Sequence, residues 1–86
     1  MSEQEDKMKI SVEIYNRTYT IVGSEPKEQV EQVAQLVNKK MEDIHDANKH
    51  LDTTKLAVLT AVNTMNDYVK LKEEYNELLQ LIEEDK

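Results

Sequence analysis

Residues 68–82 read YVKLKEEYNELLQLI, and this stretch decides how the fold is interpreted. Its apolar side chains recur at alternating spacings of three and four residues, which is the heptad pattern of a coiled-coil helix. They form one narrow stripe, here called the seam: Tyr68, Leu71, Tyr75, Leu78 and Ile82. The surrounding side chains are mostly charged, and no later segment of the sequence can cover the stripe. We therefore expect another chain to bury it, and we predict a coiled-coil stalk over residues 68–86.

The composition favours an assembling protein over a stable monomer. A chain of 86 residues gives one small domain, whose core is marginal without reinforcement. Because the sequence contains no cysteine, neither disulfides nor thiolate metal sites can reinforce it, and oligomerisation remains. No apolar run approaches the roughly 20 residues of a membrane helix, and the polar first seven residues are unlike a signal peptide. We expect a cytoplasmic protein with no membrane partner.

The net charge of −7 argues against nucleic acid as a partner. Eighteen acidic side chains against 11 basic ones repel phosphate backbones and give no general attraction to anionic lipid. The best candidate for a basic patch is Lys39-Lys40, and a run of two lysines is typical of a solvated helix face.

Residues 9–22 are predicted to form a β-hairpin. Polar and apolar side chains alternate on both sides of Asn16-Arg17, which we assign to a two-residue turn because asparagine tolerates positive φ. That turn pairs Ile14 with Tyr19 and Val12 with Ile21, and it gives the hairpin one apolar face: Ile10, Val12, Ile14, Tyr19 and Ile21. A lone hairpin is barely stable in water, so we expect it to lie on a helix or to pair with another hairpin.

Two helices are predicted after the hairpin. The first covers residues 26–48, with Pro26 in its first turn and Ser24 or Glu25 as its N-cap. The second begins after the N-cap Asp52 and meets no glycine or proline up to residue 86. Because residues 56–62 are apolar on most sides, we expect them to be the central element of the core. The candidate core and dimer residues on the two helices are Val33, Val37 and Leu59.

These elements predict an α+β fold with an N-terminal β-hairpin, one amphipathic helix, and a long C-terminal helix that extends into a coiled-coil stalk. Residues 1–7 are expected to be a disordered tail. Residues 8–67 are expected to form a globular head that includes the start of the long helix at 52–67, and residues 68–86 form the stalk.

No catalytic or metal site is predicted. His45 and His50 are five residues apart, which does not place both on one helix face as metal ligands. The carboxylates of Glu42-Asp43 and of residues 73–77 fall on outer faces, where no pocket shifts their pKa values. The single glycine, Gly23, cannot form a phosphate-binding loop, and so small a core leaves little volume for a small-molecule substrate. We expect a non-enzymatic protein without a cofactor.

Two side chains of the predicted head are candidate partner contacts. Arg17 lies at the predicted hairpin turn, where it is exposed and able to make bidentate contacts; a solvated turn residue is the alternative. Asn63 falls in the most apolar part of the second helix, and Asn66 follows one turn later. For Asn63 the alternative is a hydrogen bond within the fold or a role in fixing helix register.

Three parts of the sequence resemble the ZapA family of bacterial cell-division proteins. They are Ile14-Tyr15-Asn16-Arg17 with Tyr19-Thr20-Ile21-Val22, then Val37-Asn38-Lys39-Lys40-Met41-Glu42-Asp43-Ile44, and Leu56-Ala57-Val58-Leu59-Thr60-Ala61-Val62-Asn63 with Asp67-Tyr68. The resemblance covers about residues 8–86 in order and with matching lengths, and the ordered combination is more specific than any one motif. Asn16 departs from the family pattern, because many members have glycine at this position.

The resemblance implies a protein that binds FtsZ, the tubulin-like GTPase that polymerises at the division site. Such a protein cross-links or bundles FtsZ protofilaments and promotes Z-ring assembly and stability. Family heads dimerise through the hairpin and first helix, and the stalks join dimers into an elongated tetramer in the cytoplasm at mid-cell. At matching positions Arg17 and Asn63 are linked to FtsZ contact or assembly, and Lys49, which matches a basic position after the first helix, is a further candidate contact. The seam would carry stalk pairing. No nucleotide or metal is implied.

Two other classes of protein stay open at this point. One is a coiled-coil chaperone or adaptor of the prefoldin kind, which also combines a hairpin with long helices. Its hairpin, however, lies between the two coiled-coil helices, whereas here the predicted hairpin precedes both. The other is a regulatory subunit of an enzyme.

Overall fold

The structure is a computed structural model, and it describes residues 7–84. Four elements follow one another: β1 (Met8–Ile14), β2 (Arg17–Gly23), α1 (Lys27–Ala47) and α2 (Thr53–Glu84). The predicted α+β fold and its element order are confirmed, whereas coiled-coil pairing of α2 stays a prediction. The predicted tail falls outside the described residues except for Lys7, as do the last two residues of the predicted stalk.

The chain divides between Leu51 and Asp52 into two compact units. We refer to the described residues 7–51 as the hairpin unit and to residues 52–84 as the α2 unit. The predicted division of the long helix into a head part and a stalk part stays a prediction, because α2 is a single continuous helix of 32 residues.

The turn of the hairpin differs from the predicted one. Tyr15 and Asn16 form it, with φ of 52° and 69°, and this pair of positive φ angles is typical of a type I′ turn. The prediction that Asn16 and Arg17 form the turn is therefore wrong. Arg17 is instead the first residue of β2 and lies opposite Ile14, the last residue of β1.

The strand register shifts together with the turn. Val12 lies opposite Tyr19 and Ile10 opposite Ile21 in the antiparallel pair. The predicted pairing of Val12 with Ile21 and of Ile14 with Tyr19 is wrong by two residues. Because the side-chain period of a strand is two, this slip returns every side chain to the face on which it was predicted. The prediction of which side chains share the apolar face is therefore correct, although the predicted register is wrong.

A small core holds the hairpin on α1. Its buried members are Ile10, Val12, Val30 and Ala34, and the partly buried Ile14 and Ile21 pack against them. The two helix residues are four positions apart, so they lie on the same side of α1, facing β1. The hairpin thus gains stability from a helix, as its marginal stability in isolation requires.

The two ends of α1 are set by main-chain groups. Its N-cap is Pro26, which makes no side-chain capping bond, so the prediction of Ser24 or Glu25 as the cap is wrong. The Val30 amide donates to the Pro26 carbonyl at 3.1 Å and closes the first turn. At the other end Asn48 is the C-cap, at the last residue of the predicted helix range 26–48.

The N-terminus of α2 is capped as predicted. The Lys55 amide donates to the Asp52 carboxylate at 2.8 Å, and the Leu56 amide donates to the Asp52 carbonyl at 2.9 Å. The Asp52 carboxylate thus satisfies one amide that has no partner inside the helix, the Asp52 carbonyl accepts the first helical hydrogen bond, and the negative charge complements the helix dipole.

We expect Asp52→Ala to lower the free energy of unfolding by about 1 kcal/mol, because it removes the side-chain acceptor of the cap. Urea denaturation followed by circular dichroism, at one fixed protein concentration, measures the change. Asp52→Asn is the matched control, since it keeps an acceptor oxygen and should recover most of the loss. Equal losses in both variants would contradict a role for the capping bond.

Candidate self-association and partner-binding surfaces

The seam is exposed along its whole length in the single chain. Its five side chains are between 50% and 65% exposed, and they lie along one side of a continuous helix roughly 48 Å long. Within α2 only Leu56 and Thr60 are buried. A row of large apolar side chains in water is unfavourable, at about 25 cal/mol for each Å² of apolar surface. The geometry therefore suits contact with another apolar helix.

The apolar face of α2 widens towards its C-terminal end. Leu79 and Leu81 flank the seam residues Leu78 and Ile82, and all four are at least 40% exposed. In heptad terms the two flanking leucines occupy the e and g positions, where two-stranded coiled coils usually carry charge. A stripe this broad buries more completely among several helices than between two.

A second apolar stripe lies further towards the N-terminus of α2. It consists of Val58, Val62, Met65 and Val69, all exposed. At 100° per residue, this stripe is centred roughly 130° around the helix from the seam. Parts of it line a shallow depression with Ala61 and Asn66. The helix thus presents two different apolar faces, one in each half.

The expectation that residues 56–62 are the central element of the core is wrong for the single chain. This segment buries Leu56 and Thr60 but leaves Leu59 42% exposed. Thr60, which the sequence pattern did not indicate, is satisfied locally because its hydroxyl donates to the Leu56 carbonyl at 2.8 Å. The other apolar side chains of the segment are available to other chains.

The candidate core and dimer residues separate into two groups. Ile10 and Val12 are buried, and Ile14, Ile21 and Val37 are partly buried. In contrast, Tyr19, Val33 and Leu59 are between 42% and 49% exposed, so they add little to the core of one chain. The buried residues Val30, Ala34 and Met41 take that role on α1.

Arg17 lies directly after the hairpin turn, and α1 holds this turn in place. The Tyr15 amide donates to the Asn38 side-chain oxygen at 2.7 Å, which ties the turn to the middle of α1. The Tyr15 ring also meets the His45 ring edge-on, with 6.3 Å between centroids and 64° between planes. Arg17 itself is exposed. Sequence reasoning missed Asn38, because no local pattern signals a contact between residues 23 positions apart.

The other two candidate contacts lie elsewhere. Lys49 follows α1 and is exposed, and its ammonium group lies 3.7 Å from the Asp46 carboxylate. An exposed pair of this kind adds little stability, so Lys49 can exchange it for another anion at little cost. Asn63 is exposed on α2, so it is not a buried hydrogen-bonding residue of the single chain. Arg17 and Lys49 belong to the hairpin unit, and Asn63 belongs to the α2 unit.

Charge is distributed unevenly between the units. The hairpin unit carries seven basic and seven acidic side chains, whereas the α2 unit carries three basic and seven acidic ones. Lys39, half of the candidate basic patch, forms an ion pair on the surface with Asp43 at 3.5 Å.

Across residues 7–84 no three potential metal ligands come together. Within the same range no helix has the length and apolar character to cross a membrane.

These features define a class of small proteins in which an N-terminal hairpin and helix precede a long helix with exposed apolar faces. The chain belongs to the ZapA family: the family model for Cell division protein ZapA matches residues 10–86. The family resemblance read from the residues is thereby confirmed.

Individual relatives agree with the family assignment. The chain is 64% identical over 76 residues to Cell division protein ZapA of Oceanobacillus iheyensis, with 88% of each chain covered. It is 49% identical over 86 residues to the protein of that name from a Geobacillus species, covering 100% of this chain and 98% of the relative. The solved ZapA mutant dimer from Geobacillus stearothermophilus matches with a TM-score of 0.72 and 44% identity, over 90% of each chain.

Proposed function

We propose that this chain is a non-enzymatic division protein that binds FtsZ polymers and cross-links or bundles their protofilaments. Membership of the ZapA family gives the division role. The observation that carries the cross-linking role is the seam, because a long exposed apolar stripe suits joining chains to one another. In this proposal the protein acts in the cytoplasm at the mid-cell division site and promotes assembly and stability of the Z-ring.

The first step of the proposed assembly is a dimer formed by the hairpin unit. Tyr19, Val33 and Leu36 are between 47% and 60% exposed, although they neighbour the small core in sequence. Val33 also lines a shallow depression with Ile21 and Val30. A second copy would cover these side chains and enlarge a core that is marginal in one chain. The dimer in the solved Geobacillus stearothermophilus relative supports this step.

The second step joins two dimers through the seam into a tetramer. The leucines that flank the seam at residues 79 and 81 favour an arrangement of more than two helices. Tyr68 and Tyr75 occupy the a positions, where their rings add buried area and their hydroxyl groups reach the solvent-facing edge. The assembly is then a dimer of dimers with four hairpin units.

Cross-linking follows from the number of hairpin units. A single weak contact with a filament dissociates quickly. Once one hairpin unit of the assembly is bound to a filament, however, the next contact of the same assembly is intramolecular. Four hairpin units can therefore engage two filaments at once. Arg17, Lys49 and Asn63 are the candidate contacts with FtsZ in this proposal, and Arg17 is the strongest because it can bind a carboxylate in bidentate fashion.

Cosedimentation with polymerised FtsZ tests the proposed function. We expect the protein to enter the pellet with FtsZ in the presence of GTP and to stay in solution with FtsZ and GDP, while light scattering rises as filaments bundle. A chaperone of the prefoldin kind would instead suppress aggregation of an unfolded client protein and leave the FtsZ pellet unchanged. Absence of the protein from the GTP pellet would contradict the proposal.

A further inference from the structure

The two strands alone do not fix the register of the hairpin. Alternation of polar and apolar residues is satisfied by the observed turn at Tyr15 and Asn16, and equally by a turn at Asn16 and Arg17. The two registers differ by two residues, so both place the same side chains on the same face. Each register places one long side chain at positive φ, Tyr15 in the observed turn and Arg17 in the alternative turn, so strain in the turn does not choose between them. An interaction outside the hairpin therefore decides the register.

Asn38 supplies that interaction. Its side-chain oxygen accepts the Tyr15 amide at 2.7 Å in a partly buried position. In the alternative register Tyr15 would close the turn opposite Thr18, and that pair would exchange main-chain hydrogen bonds. The Tyr15 amide would then be committed within the sheet. Asn38 can accept this amide only in the observed register.

Neighbouring side chains support the orientation of the Asn38 amide. Its nitrogen donates to the Glu42 carboxylate at 3.4 Å, one turn along α1, which leaves the oxygen directed at the hairpin. The contact between the Tyr15 and His45 rings holds the turn against the same side of α1. Asn38 and His45 thus both contact Tyr15 of the turn, and Glu42 orients Asn38.

We propose that Asn38 is a positioning residue, which selects the hairpin register and thereby fixes where Arg17 is presented to FtsZ. This inference rests on the proposed contact between Arg17 and FtsZ. In the slipped register Arg17 would become a turn residue, and β2 would move along β1 by two residues, roughly 7 Å. A bidentate contact tolerates a few tenths of an ångström, so such a slip would break it.

Engineered cysteine pairs can report the register, because the sequence contains no cysteine. Glu13 lies opposite Thr18 on the exposed polar face, so the pair Glu13→Cys with Thr18→Cys should form a disulfide in the observed register. Thr20 would lie opposite Glu13 only in the slipped register. The pair Glu13→Cys with Thr20→Cys therefore reports the slipped form, with the same first partner.

We expect Asn38→Ala to raise disulfide formation in the Glu13→Cys/Thr20→Cys pair about tenfold, as loss of one partly buried hydrogen bond implies. Asn38→Asp keeps an acceptor oxygen and should leave the Glu13→Cys/Thr18→Cys pair dominant. Circular dichroism and oligomeric mass confirm that each variant is folded and assembled. Unchanged pairing in Asn38→Ala would overturn the proposed selection of register.

Binding to FtsZ then tests positioning. Asn38→Ala should weaken cosedimentation about tenfold, and the oxidised Glu13→Cys/Thr18→Cys pair should restore it in the same chain until the disulfide is reduced. In an Arg17→Ala background Asn38→Ala should have no further effect. Binding that stays weak with the register locked would overturn the inference. Wild-type binding by Arg17→Ala would instead refute the Arg17 contact, and the disulfide ratios would still decide the role of Asn38 in register.

Discussion

Leu78→Glu is expected to split the proposed tetramer into dimers while the hairpin unit stays folded. Leu78 is exposed in the single chain and sits in the seam, so the substitution places a carboxylate where the partner helices would bury it. An uncompensated buried charge costs about 3–5 kcal/mol, and every chain of the assembly would introduce one. The dimer contacts proposed for the hairpin unit lie outside the seam and should persist.

Sedimentation equilibrium measures this result as a fall from four chains to two, and light scattering measures the accompanying loss of FtsZ bundling. Gln80→Glu is the matched control, because it adds the same charge two residues away on the opposite side of the helix. The control should keep both the mass and the bundling. A Leu78→Glu protein that still contains four chains would exclude the seam as the joining surface.

Arg17→Glu is expected to abolish cosedimentation with FtsZ polymers without changing the oligomeric mass. The substitution removes a guanidinium group that can hold a carboxylate with two hydrogen bonds, and it places a like charge in front of that carboxylate. Loss of a contact of this kind lowers affinity by about 100-fold or more. Arg17 is exposed at the start of β2, so the fold of the single chain should tolerate the change.

Lys27→Glu is the control for net charge. It alters the charge by the same amount, and it lies in the first turn of α1, where an acidic residue is favourable. Its ion pair with Glu31, at 4.0 Å, is exposed and contributes little. Equal losses of binding in the two variants would show a general electrostatic effect and remove Arg17 from the contact surface.

The sequence was most informative where the signal is local. Asp52 caps α2 as predicted, because the capping bond joins residues three apart and needs no tertiary context. The ends of α1 fall within one residue of the predicted range, since Pro26 and the polar stretch after Ala47 limit the helix on both sides. The apolar face of the hairpin was also predictable, because it follows from alternation alone.

The register was not predictable for a physical reason. Turn propensity favours Asn16 at a position of positive φ in either register, so it does not decide between them. The contact that decides is the bond from the Tyr15 amide to Asn38, which becomes visible only when the hairpin lies on α1. For the candidate site, the seam and Arg17 stay predictions from the sequence, and the sequence analysis wrongly placed Arg17 in the turn instead of on the strand.

The sequence also did not indicate which apolar positions are buried within one chain and which are buried between chains. The apolar spacing predicts that Val33 and Leu59 are covered, but it does not indicate which chain covers them. In the structure both are more than 40% exposed. The solved ZapA relative is a dimer, and cover of these side chains by a second copy stays a proposal for this chain.

Because few side chains of α2 are buried in one chain, association would make the stability of the protein depend on its concentration. With only Leu56 and Thr60 buried along 32 residues, the helix in the proposed assembly would draw most of its tertiary stabilisation from association, which obeys mass action. The hairpin unit, by contrast, has a core that forms within one chain. In the proposed assembly, a dilute chain would hold a hairpin unit with a small core of its own and an incompletely stabilised helix. The free energy of unfolding would then depend on the cellular concentration of the protein, and lower expression would reduce the stability of each remaining molecule.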